Sequence, residues 1–150
     1  MVLGSHLDSV PDGGRYDGAL GVVSALEVLR SASESGAPEA RRMALACWTD
    51  EEGARFGLGM LGSRSVAGFM TPGEIASGVA NDGTRLWDVL ASHGLDPTRV
   101  PDAARRRDRI GAYLELHIEQ GPVLDRAHRP LGIVTGIVGV SNWRLGCEGV

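Results

Sequence analysis

Three short tracts concentrate the side chains able to do chemistry: His6-Leu7-Asp8, Asp50-Glu51-Glu52 and His117-Ile118-Glu119, with Asp17 between the first two. Two imidazoles and several carboxylates make a mixed nitrogen and oxygen donor set. Such a set suits zinc, manganese or cobalt rather than an all-sulfur structural site. The His6-x-Asp8 spacing has a use of its own. Residues i and i+2 of an extended strand share a face, so the Asp8 carboxylate can accept the second ring N–H of His6 and fix the tautomer of a metal-bound imidazole. The neighbours Glu51 and Glu52 point to different sides, so one can bind metal while the other stays free as a base. A carboxylate such as Asp17 can bridge two ions ~3.5–4 Å apart, the separation used by two-metal hydrolases, and such a pair lowers the pKa of a shared water. A free Glu can then take its proton.

Each tract alone has a plainer reading. A His-x-Asp arises often by chance at strand ends, and a Glu-Glu pair is usually solvated. His117, flanked by Leu116 and Ile118, also suits a satisfied core histidine. What favours chemistry is their joint placement. Short apolar runs alternate with helical stretches, which predicts an α/β arrangement. Val2–His6 reads as a strand tail. From Asp17 to about Ser33, Leu20, Val23, Leu26 and Val28-Leu29 recur at helical spacing, with Asp17 placed as the N-cap. The continuous apolar run Met43–Trp48 predicts an interior strand, and the alternating segment Tyr113–Ile118 reads as a further strand ending at polar groups. Helices are expected over 60–69 and 84–93, with a polar, Arg-rich one near 101–109. Two further strands are expected over 131–140 and 143–150, joined by a turn near Ser141-Asn142. If the strands are parallel, the three tracts converge on one sheet edge, the carboxyl edge where ligand sites of open α/β sheets lie.

Composition narrows the classes. The 150 residues make about one domain, able to bury about two-thirds of its unfolded surface. With 43% hydrophobic and 23% charged residues, the chain is not a disordered one. Fifteen basic residues, all Arg, against 19 acidic ones give a net charge of −4, which argues against a general nucleic-acid or anionic-membrane binder. The all-Arg usage reads as codon bias. The run Arg105-Arg106-Arg107-Asp108-Arg109 has an internal Asp and no interleaved aromatic, as a solvated helix face does. Cys47 and Cys147 fit no CxxC pattern and read as buried free thiols. Gly13-Gly14 lacks phosphate-loop spacing, and Ser63 and Ser65 lack a GxSxG elbow. No apolar stretch approaches ~18 residues, and Met1–His6 lacks the pattern of a signal peptide. The cytoplasm is the simplest address.

Four motifs then occur in order: Gly4-Ser5-His6-Leu7-Asp8-Ser9-Val10-Pro11, Gly13-Gly14-Arg15-Tyr16-Asp17-Gly18, Thr49-Asp50-Glu51-Glu52-Gly53-Ala54-Arg55-Phe56 and Glu115-Leu116-His117-Ile118-Glu119-Gln120-Gly121-Pro122. Across almost the whole chain this resembles the N-carbamoyl-L-amino-acid hydrolase, allantoate amidohydrolase and β-ureidopropionase family, di-metal amidohydrolases related to aminoacylases and carboxypeptidase G. The resemblance implies a di-zinc exopeptidase-like catalytic α/β domain, partial here over 1–134, and the start of an inserted lid or dimerisation domain over 135–150. It implies that Asp17 bridges two divalent ions, zinc or manganese with cobalt or nickel also suited. His6 and His117 would complete one ion's ligands, and Glu52 would bind the other. Glu51 would be the general base, Asp8 would orient His6, and Gln120 would contact a small ureido or amide substrate. It implies a homodimer for the full-length protein.

Family members run to about four hundred residues, so the resemblance also implies a fragment, without the fifth ligand (a His near the C-terminal end) and inactive alone. His93 and His128 read as solvated side chains. An aminoacylase or dipeptidase of the same clan is a second reading, disfavoured because a carboxylate usually fills the place of His117 there. A non-catalytic metal-binding or dimerisation remnant is a third.

Overall fold

The first run of the chain, Val-Leu-Gly-Ser-His, forms strand β1 (Val2–His6), buried on both faces from Leu3 onward. In a computed structural model that describes every residue except Val138, Val140, Asn142, Arg144 and Val150, β1 is the middle strand of a three-stranded parallel sheet. The order is β2-β1-β3, with β2 at Ala44–Trp48 and β3 at Tyr113–Leu114. β1 pairs with β2 from Val2 opposite Ala44 to His6 opposite Trp48, but with β3 only at Val2–Tyr113 and Leu3–Leu114. All three strands therefore point their carboxyl ends to one edge.

Helix α1 (Ala19–Glu34) makes the crossover from β1 to β2 and buries Gly21, Val22 and Ala25. Gly21 permits its close approach: a Cβ there would lie 2.6 Å from Ser5 Cβ and 2.3 Å from the Leu116 carbonyl oxygen. Helices α2 (Leu61–Ala67), α3 (Pro72–Ser77) and α4 (Leu86–Ser92) contribute to a second cluster, of Phe56, Leu61, Met70, Ile75, Ala80 and Leu86. Thr71 and Glu74 form a reciprocal capping box at the start of α3, and Arg64 of α2 pairs with Glu74.

Several expectations are corrected here. Asp17 does not cap α1. The N-cap is Gly18, at φ 70° and ψ −50° with no side-chain hydrogen bond, and the Asp17 side chain turns to the sheet edge instead. β2 is an edge strand rather than an interior one, with Ala44, Leu45 and Cys47 exposed. Both thiols are exposed. The Arg-rich segment is a 3₁₀ helix over Pro97–Arg109, because Pro101 within it removes a donor and adjacent arginines repel. β3 ends at Leu114, so His117 follows the strand rather than terminating it. The core is smaller than chain length suggests: Val23, Leu26, Leu45, Phe69 and Leu114 are all exposed.

The chain divides into two compact units, Met1–Ile118 and Glu119–Val150. In the second, the Glu119 carboxylate accepts the backbone N–H groups of Val123 (3.0 Å) and Leu124 (2.8 Å) and so caps α5 (Val123–Arg126). The strands expected over 131–140 and 143–150 are not formed among the described residues, where Leu131, Ile133, Ile137, Trp143 and Leu145 are exposed. Val138, Val140, Arg144 and Val150 of these strands, and Asn142 of the expected turn, lie outside the described residues. An apolar run becomes a strand only with a partner ladder and a face to bury. Among the described residues, no helix is long and apolar enough to cross a membrane.

Candidate metal centre

β1 ends by delivering His6, 3% exposed, to the carboxyl edge of the sheet. Its Nδ1 lies 2.8 Å from the Asp8 backbone carbonyl. A carbonyl only accepts, so Nδ1 carries the proton and Nε2 keeps its lone pair. The Asp8 carboxylate was expected to hold this ring, but its Oδ1 is 3.6 Å from Nδ1. Its Oδ2 instead accepts the Glu52 backbone N–H at 3.0 Å. The reason is local: beyond His6 the chain leaves the extended conformation, which brings the carbonyl rather than the side chain to the ring. Asp8 therefore ties the end of β1 to the turn that follows β2.

His117 repeats the device. Its Nδ1 lies 2.9 Å from the Ile118 carbonyl, and its Nε2 faces Asp17 Oδ1 at 3.3 Å. One donor atom each from His6, Asp17 and His117 falls within 4.8 Å of the others. The two imidazole rings are 5.9 Å apart between centroids. Glu52 Oε1 stands 4.0 Å from His6 Nε2. Two imidazoles with bare Nε2 atoms, a buried carboxylate between them and a second carboxylate alongside form a set that fits a divalent cation.

Glu51 is half-buried, and the Ser63 hydroxyl lies 2.9 Å from both of its carboxylate oxygens. Burial pushes the Glu51 pKa above the ordinary glutamate value, and the Ser63 hydrogen bond works against that rise. Asp50 is also pushed up, by burial first and by the Asp8 charge second. Gly18 makes room for the His6 ring, since a Cβ there would lie 2.4 Å from ring atoms Cε1 and Nδ1.

Of the residues singled out in the sequence, His6, Asp17 and His117 come together, with Glu52, Glu51 and Asp8 around them. Gln120 is exposed and belongs to the second unit. His93 is exposed at the end of α4, its Nδ1 2.9 Å from the Val89 carbonyl. Sequence reasoning missed Ser63 and also Glu115, whose carboxylate accepts from the hydroxyls of Ser5 and Tyr113. Ser63 reaches Glu51 only because the first turn of α2 folds back beneath the Thr49–Glu52 turn, a tertiary contact with no periodic signature. Glu115 carried a readable clue, its place two residues before His117.

Residues 2–144 match peptidase family M20/M25/M40, and the chain belongs to that family, whose members are generally metal-dependent. Among its relatives, an N-carbamoyl-L-amino acid amidohydrolase of Geobacillus stearothermophilus is 47% identical over 140 residues, 93% of this chain and 34% of that protein. A probable allantoate deiminase of Oryza sativa subsp. japonica is 38% identical over 149 residues, 97% of this chain and 30% of that protein. A hydantoinase/carbamoylase family amidase from Burkholderia phymatum, known from its crystal structure, is 42% identical with a TM-score of 0.69, covering 85% of this chain and 30% of that one. These names agree with the resemblance drawn from the four motifs. The chain spans about a third of the length of the curated relatives it matches.

Proposed function

We propose that the full-length protein carrying this chain hydrolyses a linear C–N bond of a ureido or amide group, as in an N-carbamoyl-L-amino acid, allantoate or β-ureidopropionate. The observation that carries this reading is the meeting of His6, Asp17 and His117 donors within 4.8 Å at the carboxyl edge of the sheet, beside Glu51. In this reading Asp17, His6, His117 and Glu52 would together hold two divalent ions, Asp17 serving both, His6 and His117 one of them and Glu52 the other. Zinc or manganese suits the set, and cobalt or nickel is also compatible. Bound ions would supply Lewis acidity at this edge.

The chain's own residues do the rest. Glu51 accepts the proton of the attacking water on a carboxylate oxygen and returns it to the leaving nitrogen. The Ser63 hydroxyl keeps that carboxylate aimed. The Asp8 carbonyl holds the His6 tautomer, while its carboxylate holds the Glu51-Glu52 turn. Gln120 contacts the substrate. An N-carbamoyl substrate would yield an amino acid, carbon dioxide and ammonia. The same reading takes the full-length protein as a cytoplasmic homodimer, with residues 1–134 in the catalytic domain and 135–150 opening a lid or dimerisation domain.

The test is Glu51→Gln in the full-length protein, assayed in parallel on N-carbamoyl amino acids, allantoate and dipeptides. Turnover should fall by roughly 10²–10⁴-fold while metal content is unchanged. Wild-type turnover in the variant removes Glu51 from the mechanism. Preference for dipeptides points to an aminoacylase or dipeptidase, and metal binding without any turnover points to a non-catalytic remnant.

A further inference from the structure

A series of side-chain hydrogen bonds crosses all three strands just behind the metal edge. Trp48 Nε1–H donates to the Tyr113 hydroxyl at 2.8 Å, and that hydroxyl donates to Glu115 Oε2 at 2.7 Å. The Ser5 hydroxyl donates to the other oxygen, Glu115 Oε1. The direction of this series is fixed. Indole nitrogen only donates and a carboxylate only accepts, so Tyr113 must accept from Trp48 and pass its own proton toward Glu115. Burial and the Glu115 hydrogen bond both raise the Tyr113 pKa, which keeps the phenol a donor.

The placement of these residues matters more than their number. Ser5 is wholly buried and immediately precedes His6. Glu115 comes two residues before His117, and Trp48 ends β2 where the Thr49–Glu52 turn begins. The backbone ladder between β1 and β3 stops at Leu3–Leu114. Beyond that pair, among the described residues, no ladder hydrogen bond ties the segment carrying His117 to β1. The Glu115 carboxylate takes over, with one oxygen held from β1 and the other from β3.

We propose that Glu115 is a positioning residue: its carboxylate, clasped by Ser5 and Tyr113, sets the separation of His6 from His117 and thereby the affinity of the centre for a divalent cation. This rests on the metal-binding reading above, though not on the hydrolytic one. Partners that orient metal ligands from behind are worth roughly 10–100-fold in metal affinity. The clasp differs from most of them in gripping the backbone that carries the ligands, not the imidazoles themselves.

The experiment measures Zn²⁺ affinity of the full-length protein by competition with a chromophoric chelator, together with thermal unfolding of the metal-free protein. Three variants decide it: Tyr113→Phe, Glu115→Ala and Glu115→Gln. Tyr113→Phe and Glu115→Ala should each weaken Zn²⁺ binding by roughly 10–100-fold in protein that is still folded. Glu115→Gln should stay close to wild type, because the amide oxygen can accept from Tyr113 while its nitrogen donates to the Ser5 hydroxyl, which rotates to accept. If Glu115→Gln loses as much as Glu115→Ala, charge rather than position is responsible and the proposal fails. It also fails if Tyr113→Phe and Glu115→Ala bind Zn²⁺ as wild type does, with only the unfolding temperature lowered. Should Glu115→Ala not fold, the two conservative variants decide alone. A wild-type protein that takes up no Zn²⁺ overturns the metal centre and the clasp together, whereas Zn²⁺ binding with the expected variant losses but no turnover upholds the clasp and refutes only the hydrolase.

Discussion

Gly18 separates Asp17 from the first turn of α1 at φ 70° and ψ −50°, and a methyl group there would press on His6 at 2.4 Å from two ring atoms and 2.6 Å from the carbonyl oxygen. Gly18→Ala therefore carries two costs. The backbone conformation, open to glycine, would cost alanine about 1–3 kcal/mol. The collision adds about 1–3 kcal/mol of overpacking, because no flexible side-chain tip is present to yield. Gly36→Ala separates the two. Gly36 sits at φ 69° with nothing within 4 Å of its would-be Cβ, so it carries backbone strain alone. Relief of the collision at position 18 must come from turning His6 or shifting Asp17, both of which hold donor atoms. The excess of Gly18→Ala over Gly36→Ala should thus appear as metal affinity, roughly 5–150-fold for about 1–3 kcal/mol. Zn²⁺ titration by competing chelator reads the affinity, and thermal unfolding of the metal-free proteins reads the backbone cost at each position. If Gly18→Ala binds Zn²⁺ within twofold of Gly36→Ala, the steric reasoning about His6 is wrong.

Two other outcomes follow from contacts already described. Ser63→Ala removes a hydrogen bond to a charged carboxylate, worth about 1.5–3 kcal/mol, so kcat should fall by roughly 10–150-fold with metal content unchanged and Ser63→Thr restoring part of it; unaltered kcat would dismiss Ser63. Arg64 and Thr71 hold the Glu74 pKa down to about 2, against an ordinary 4.5. The unfolded chain protonates this group first as pH falls, so the contribution is complete above about 4.5 and lost between there and about 2. Unfolding temperature should decline more steeply across that window in wild type than in Glu74→Gln, and parallel curves would contradict the assignment.

Much of the site-bearing part of the fold was legible because its signals are local. The apolar spacing from Leu20 to Leu29 and the run from Met43 to Trp48 locate α1 and β2, and polar tracts at successive strand ends foretell a parallel sheet with one loaded edge. What escaped depends on contacts between distant residues or on burial that composition does not report. Asp17 looks like an N-cap in isolation, and only the nearby His117 shows why its side chain turns away. The apolar content of β2 says nothing about whether anything covers it. Thr71-Pro72-Gly73-Glu74 is a capping box that could be read, yet α3 is too short to show a period. The His6-x-Asp8 spacing predicts contact between the right residues but through the wrong atoms. The choice between a carboxylate and a carbonyl depends on where the chain leaves the extended conformation.

The clasp between Ser5 and Glu115 joins positions 110 apart in sequence, and this ties occupancy of the centre to completion of folding. Closing a loop of that length costs about 4 kcal/mol of chain entropy. A cation that recognises only the closed arrangement returns about 4 kcal/mol when present at a thousand times its dissociation constant. The ladder at Val2–Tyr113 and Leu3–Leu114 already meets that closure cost, so a bound cation adds its stabilisation to an edge the sheet has closed beforehand.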